Sequence, residues 1–228
     1  MNFSVMLRWL IFLISLGFSL PVIAQPITSS SNATGTTVNQ SGKQFDIGGG
    51  ALSGDAKNLF HDFDRFGLNQ GQIANFLSQP NIENILGRVS GGETSFINGL
   101  LQITGGNSNL YLLNPTGIIF GENARLNIAG DFTATTATGI KFEDNWFSAF
   151  GENDYVNLVG EPTQFLFDLD NPQNIINQGN LTVTEGQSLN LFAGSIRNAG
   201  TLQARSGQIN IQRSPTKMSF NCLRTVLF

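Results

Sequence analysis

The chain has 228 residues, 40% of them hydrophobic, enough for one large domain or two small ones around a sizeable core. Only 12% of residues are charged, whereas Gly (26) and Asn (25) are abundant, which suits turns better than helices and favours an all-β fold. The net charge of −4 argues against a nucleic-acid partner, and the single cysteine, Cys222, excludes an internal disulfide.

The N-terminus, MNFSVMLRWLIFLISLGFSLPVIAQP, has one basic residue, Arg8, then an apolar run from Trp9 to Leu20 and a small residue before a cut between Ala24 and Gln25. This is the pattern of a secretory signal peptide over residues 1–24. The apolar run is short of the ~20 residues that a bilayer-spanning helix needs. Cleavage leaves 11 basic and 16 acidic residues, a net charge of −5.

Residues 25–44 are polar and rich in Ser, Thr and Asn, as in a mobile leading segment or an edge strand. The next stretch places Phe60, Phe63 and Phe66 three apart, the spacing of a helical turn, but Gly54 and Gly67 bracket it, and the expectation is a loop pinned by aromatic anchors. In the glycine run DIGGGALSG, Gly48, Gly49 and Gly50 lack the Lys-Ser/Thr of a phosphate-binding loop and read as turn residues. Apolar alternations then recur at Leu101/Ile103, Leu110/Leu112, Ile118/Phe120, Leu126/Ile128 and Phe132/Ala134, each separated by turn formers. They predict short strands. Further on, Asn177, Gly179, Leu181, Gly186 and Gln187 match Asn198, Gly200, Leu202, Gly207 and Gln208 at an offset of 21 residues. A period in the twenties built of short strands is the signature of a β-helix whose rungs stack on one another.

In such a rung the stretch Asn114-Pro115-Thr116-Gly117-Ile118 is a corner. Pro115 presets its φ, Asn114 can bond the backbone two residues on, and Gly117 permits positive φ. The tail, residues 213–228, drops the Gly/Asn rhythm; it is expected to be either a cap on the final rung or the mark of a truncated longer chain, with truncation preferred.

The segments NLFHDFDRF, NIENILGRVSGGETSFINGLLQ and NLYLLNPTGIIFGENARLNIAGDFTATTA resemble the N-terminal secretion domain of filamentous haemagglutinin-type exoproteins, the two-partner secretion (TPS) domain, most like its cyanobacterial versions. The likeness is close over about residues 25–150 and looser over 151–212, expected to be continuing β-helix rungs. The family motif Asn-Pro-Asn-Gly-Ile matches Asn114, Pro115, Gly117 and Ile118, with Thr116 in place of the second Asn. The resemblance implies a right-handed parallel β-helix of the pectin-lyase-like kind with N-terminal capping strands. It also implies export by the general secretory translocon, recognition in the periplasm by an outer-membrane transporter, with 114–118 as the recognition and turn motif, and folding outside the cell. No cofactor, metal or catalytic residue is implied.

Two other classes remain open. One is a surface adhesin module that binds glycans or the surface of a host or neighbouring cell. The other is a polysaccharide-active enzyme, for which Asp168 and Asp170, two apart on one strand face, are the candidate carboxylates. His61 with Asp62 and Asp64 is the only histidine cluster, but adjacent residues on a strand point opposite ways, and Cys222 lies far off in the tail.

Overall fold

Leu59, Ile85, Leu110, Phe132, Leu189 and Ile209 are successive register partners across six parallel strands: Asn58–Arg65, Asn84–Val89, Asn109–Leu113, Phe132–Thr135, Leu189–Ala193 and Ile209–Arg213. Each strand repeats the last one about one rung later, so like side chains fall in columns along the axis. This is a parallel β-solenoid of about six turns. The computed structural model describes residues 26–31 and 34–221.

The rungs between Asn84 and Gln203 use three sheets. The second holds Gln44–Gly48, Ile73–Leu77, Leu100–Thr104, Arg125–Asn127, Asn180–Thr182 and Thr201–Gln203. The third holds Ser95–Ile97, Ile118–Phe120, Asn174–Asn177 and Ser195–Asn198. The 21-residue offset is a true rung: Asn177 pairs with Asn198, and Leu181 with Leu202. Earlier rungs are longer, with Ala74 opposite Leu101 and Phe45 opposite Ala74, so their repeat is hidden in the sequence.

Inward residues of the three sheets fill one core that includes Phe45, Phe76, Leu101, Phe120 and Leu191. Asparagines hold the corners: Asn84 donates to Asn58 at 2.9 Å, and Asn109 donates to Asn84 at 2.9 Å. Stacked amides of this kind satisfy groups that would otherwise be buried unpaired. The first rung is capped by the hairpin Thr37–Ser41/Gln44–Gly48 and by the short strands Thr28–Ser29 and Ala51–Leu52, both antiparallel to Asn58–Arg65. Gly49 serves a close approach here, since a Cβ on it would lie 2.2 Å from the Gly35 carbonyl oxygen.

Three expectations change. Asn58–Arg65 is an eight-residue strand, so Phe60 and Phe63 belong to neither a helical turn nor a loop. Three apart on a strand, they take opposite faces: Phe63 enters the solenoid core and Phe60 a second, outer cluster. Residues 151–212 are not rungs throughout, because the solenoid is interrupted between Thr135 and Asn174. Gly139–Phe142, Asn145–Ser148 and Pro162–Phe167 form an antiparallel excursion sheet, and rungs resume at Asn174. Finally, Met218–Asn221 in the tail pairs antiparallel with Pro162–Phe167 instead of lying over the last rung.

The inner face of the excursion sheet, Ile140, Phe142, Phe147, Phe165 and Phe167, packs on the outer face of the first sheet through Phe60, Leu86, Tyr111, Leu113 and Phe192. The first sheet is therefore buried on both sides over most of its length, from Asn58–Arg65 to Leu189–Ala193. Continuous apolar runs such as Leu110–Leu113 are the sequence mark of that environment.

Candidate functional site

Leu113 ends a strand of the first sheet and Ile118 begins one of the third, and the four residues between them turn the chain. Asn114 is fully buried and fixes the turn from both of its ends. Its carbonyl accepts from the Gly117 N–H at 3.1 Å, and its Oδ1 accepts from the Thr116 N–H at 2.9 Å. Its Nδ2 donates to the Glu93 carbonyl and to Ser95 Oγ, each at 2.9 Å, tying the corner to that of the preceding rung. The Asn114 N–H reaches the next strand at the Thr135 carbonyl, 3.0 Å away. A side chain of this size with both a donor and an acceptor is what such a corner needs.

Gly117 has φ of 115°, where a side chain would be strained, and its carbonyl accepts from the Ser95 N–H at 3.0 Å. Thr116 takes part through its backbone: its N–H donates to Asn114 and its carbonyl accepts from Thr94 Oγ1 at 2.9 Å, while the residue itself is half-buried. Pro115 and Ile118 are buried. The five residues are thus one structural unit in which only Thr116 shows appreciable surface. Ala24 and Gln25, the expected cleavage pair, lie outside the described residues, as does Cys222.

His61 and Asp62 separate as strand geometry requires. His61 points into the solenoid, 6.1 Å from the Phe63 ring and 5.9 Å from that of Phe76, with Nδ1 3.3 Å from Thr36 Oγ1. It is a strand residue in the core, and burial lowers its pKa to about 4. Asp62 points outward to Arg88, its register partner on the next rung. Arg88 Nε and Nη2 lie 3.0 and 2.6 Å from Asp62 Oδ2, and Nη1 donates to the Ser148 carbonyl at 2.7 Å. Ser90 Oγ donates to Asp62 Oδ1 at 2.7 Å, and the Arg88 guanidinium carbon sits 6.0 Å from the Phe147 ring centre. Both charged side chains are almost fully buried. Asp64 is exposed beside Arg65.

Asp168 and Asp170 follow the strand Pro162–Phe167 in a bend instead of sharing a strand face, and Lys217 Nζ lies 3.5 Å from a carboxylate oxygen of each. They are exposed and held by a cation, an arrangement unlike paired carboxylates across a cleft. Among the described residues no group of three or more His, Cys, Asp or Glu side chains could hold a metal ion. A surface hollow of about 330 Å³ lies between Gly48–Gly50, Leu59, Leu77 and Ile82. The Arg88–Asp62 pair was not anticipated from the sequence, although a lone charge inside NILGRV signals it: an arginine in so apolar a strand needs an acid facing it.

A three-sheet parallel solenoid with an N-terminal cap and tight Asn-rich corners places the chain in the class of β-helical proteins. The TPS secretion domain family model matches residues 24–221, and the chain belongs to that family. Among solved structures it is similar to the HMW1 secretion domain from Haemophilus influenzae, with TM-score 0.61 and 23% identity, over 86% of this chain and 45% of that one. It is also similar to the filamentous hemagglutinin secretion domain, with TM-score 0.60 and 15% identity, over 87% of this chain and 66% of that one. At these identities the likeness is one of fold. A heme/hemopexin-binding protein of Haemophilus influenzae is 36% identical over 75 residues, which are 32% of this chain and 8% of that protein. The chain spans less than two thirds of the length of each.

Proposed function

We infer that this chain directs the export of an exoprotein: it is recognised by an outer-membrane two-partner-secretion transporter and folds as a β-helix outside the cell. Membership of the TPS secretion domain family supports this reading. That family is not one of enzymes, and the proposal includes no catalysis. The general secretory translocon and a periplasmic passage precede the transporter, in keeping with the signal peptide expected from the sequence over residues 1–24. The cyanobacterial character rests on the quoted segments alone.

The observation that carries the role of residues 114–118 is burial. Asn114 has no exposed surface in the folded domain and its side chain's three polar partners, the Glu93 carbonyl, Ser95 Oγ and the Thr116 N–H, are engaged in the closed corner, so a transporter that reads this side chain reads it before the corner closes. The same residue then closes the turn. Recognition and folding compete for one set of hydrogen bonds.

Asn114→Ala is expected to leave the Thr116 N–H and Ser95 Oγ short of a partner and to cost about 2–3 kcal/mol, with reduced release through the transporter. Pro115→Ala slows closure of the corner and also reduces release. Refolding rates of the purified variants, set beside release into the medium, check both effects; unchanged refolding and unchanged release in both variants would remove the motif from the account. The adhesin alternative predicts glycan or cell binding by the purified domain in the absence of any transporter.

A further inference from the structure

The excursion sheet leaves the solenoid after the fourth strand of the first sheet and packs apolar side chains on Tyr111, Leu113 and Phe192 as well, yet its hydrogen bonds to the solenoid go to the first two strands and the turn before them. Asn58 Nδ2 donates to the carbonyls of Leu158 and Gly160 at 3.0 and 2.9 Å, across 100 and 102 residues of chain. The Gly54 N–H donates to the Val156 carbonyl at 2.9 Å, and the Gly160 N–H to Asp55 Oδ2 at 3.1 Å. Asn84 Nδ2 donates to Glu161 Oε2 at 3.2 Å, and Arg88 Nη1 to the Ser148 carbonyl. The Phe60 ring packs against those of Phe142, Phe147 and Tyr155, with centroids 5.8, 5.0 and 5.3 Å away.

Without residues 137–168 the early rungs would be poorly closed. Phe60, Leu86, Tyr111 and Leu113 would face water, forfeiting about 1.5–3 kcal/mol for each large apolar side chain. Arg88 would lose its carbonyl partner and Asn58 two acceptors. The same point joins the cap: the Asp62 N–H donates to Thr36 Oγ1 and the Asp62 carbonyl accepts from the Ser30 N–H. Cap, first rung, second rung and excursion thus meet at the Asp62–Arg88 pair.

We propose that residues 137–168 are a folding latch: the N-terminal cap and first two rungs become a locked unit only when this segment, about a hundred residues further along, docks on their outer face. A solenoid bonded only between neighbouring rungs can grow and fray one rung at a time. The latch adds long-range contacts that make the cap, the first two rungs and the excursion open and close together. For a chain that emerges N-terminus first, the early rungs stay loose until the latch arrives, so the domain commits late and as a whole. That consequence for export rests on the secretion reading; the latch itself does not.

Amide hydrogen exchange of the purified full-length chain tests it. In Tyr155→Ala, which removes a latch ring from Phe60 and leaves every rung-to-rung bond in place, exchange is expected to rise at least tenfold in 58–65 and 84–89 together with 139–142 and 162–167, while 180–182 and 201–203 keep their protection. Faster exchange confined to 154–161, with 58–65 unchanged, would overturn the proposal. Phe147→Leu, which thins the contact with Phe60 from the latch side, gives the same pattern more weakly should Tyr155→Ala fail to fold. In the unaltered chain, the 58–65 and 139–142 amides are expected to share one opening free energy and one denaturant dependence; two separate openings would also overturn it. No transporter enters this experiment, so its failure would leave the secretion reading where it stands.

Discussion

Arg88 and Asp62 form an ion pair with side chains 1% and 0% exposed, at a position where burial penalises any charge left alone. Their pairing is complete: two nitrogens on one carboxylate oxygen, a serine hydroxyl on the other, and a backbone carbonyl for the remaining arm. Removing one partner from such a pair costs about 3–5 kcal/mol, whereas replacing both by apolar groups can be nearly neutral. Arg88→Met is therefore expected to lower the unfolding free energy measured in urea by that amount, and Asp62→Leu with Arg88→Met to recover most of it; a single-variant loss under about 1 kcal/mol would contradict this. His61 carries a different cost. Its folded pKa of about 4 lies below the unfolded value of 6.5, so the unfolded chain takes up the proton first as pH falls. The contribution is fully present above about pH 6.5 and is lost as pH falls toward 4, by up to about 3 kcal/mol. Urea midpoints measured across that window should fall with acidity in the native chain and fall less in His61→Leu. Thr116 makes its corner contacts through its backbone, and Thr116→Asn should leave the thermal midpoint within a degree or two of the native chain.

At the scale of elements, strands were readable where one face meets the core and the other meets water. The pairs Leu101/Ile103 and Leu126/Ile128 alternate for that reason, and the 21-residue repeat registers because the last rungs carry short corners. The corner at 114–118 was legible too, since its residue types state the turn directly. The excursion was not legible. Its strands alternate as rung strands do, and antiparallel pairing between Gly139–Phe142 and Pro162–Phe167 leaves no mark that separates it from parallel stacking. Its docking surface was written in the first sheet instead, as runs with no polar face. Phe60 and Phe63 misled through their spacing, because three residues suit a helix and also suit a strand buried on both sides. One contact of the latch responds to pH. Burial, with Glu83 alongside, raises the Glu161 pKa above the ordinary carboxylate range, against the opposing attraction of Lys57 and the hydrogen bond from Asn84. A raised carboxyl pKa favours the folded state as pH falls through it, so Glu161→Gln, which keeps an acceptor for Asn84 and removes the charge, should raise the midpoint at pH 8 and change it little at pH 4.

Across the whole molecule, a low charge, no internal disulfide and a core assembled rung by rung suit the proposed passage through a transporter with ordering afterwards. The cap closes one end, the excursion covers the first sheet, and Ile209 and Ile211 of the last rung, 43% and 50% exposed, occupy the columns that run through every earlier rung. Among the described residues, the buried charges of Arg88 and Asp62 are engaged with one another. The central claim is that a partner transporter is needed for this chain to leave the cell. The most direct measurement expresses the full chain in a diderm host with and without its cognate outer-membrane transporter and compares culture medium with periplasm. Release into the medium only with the transporter is the predicted result. Equal release in both strains, or retention of the protein in the periplasm in both, would contradict the account.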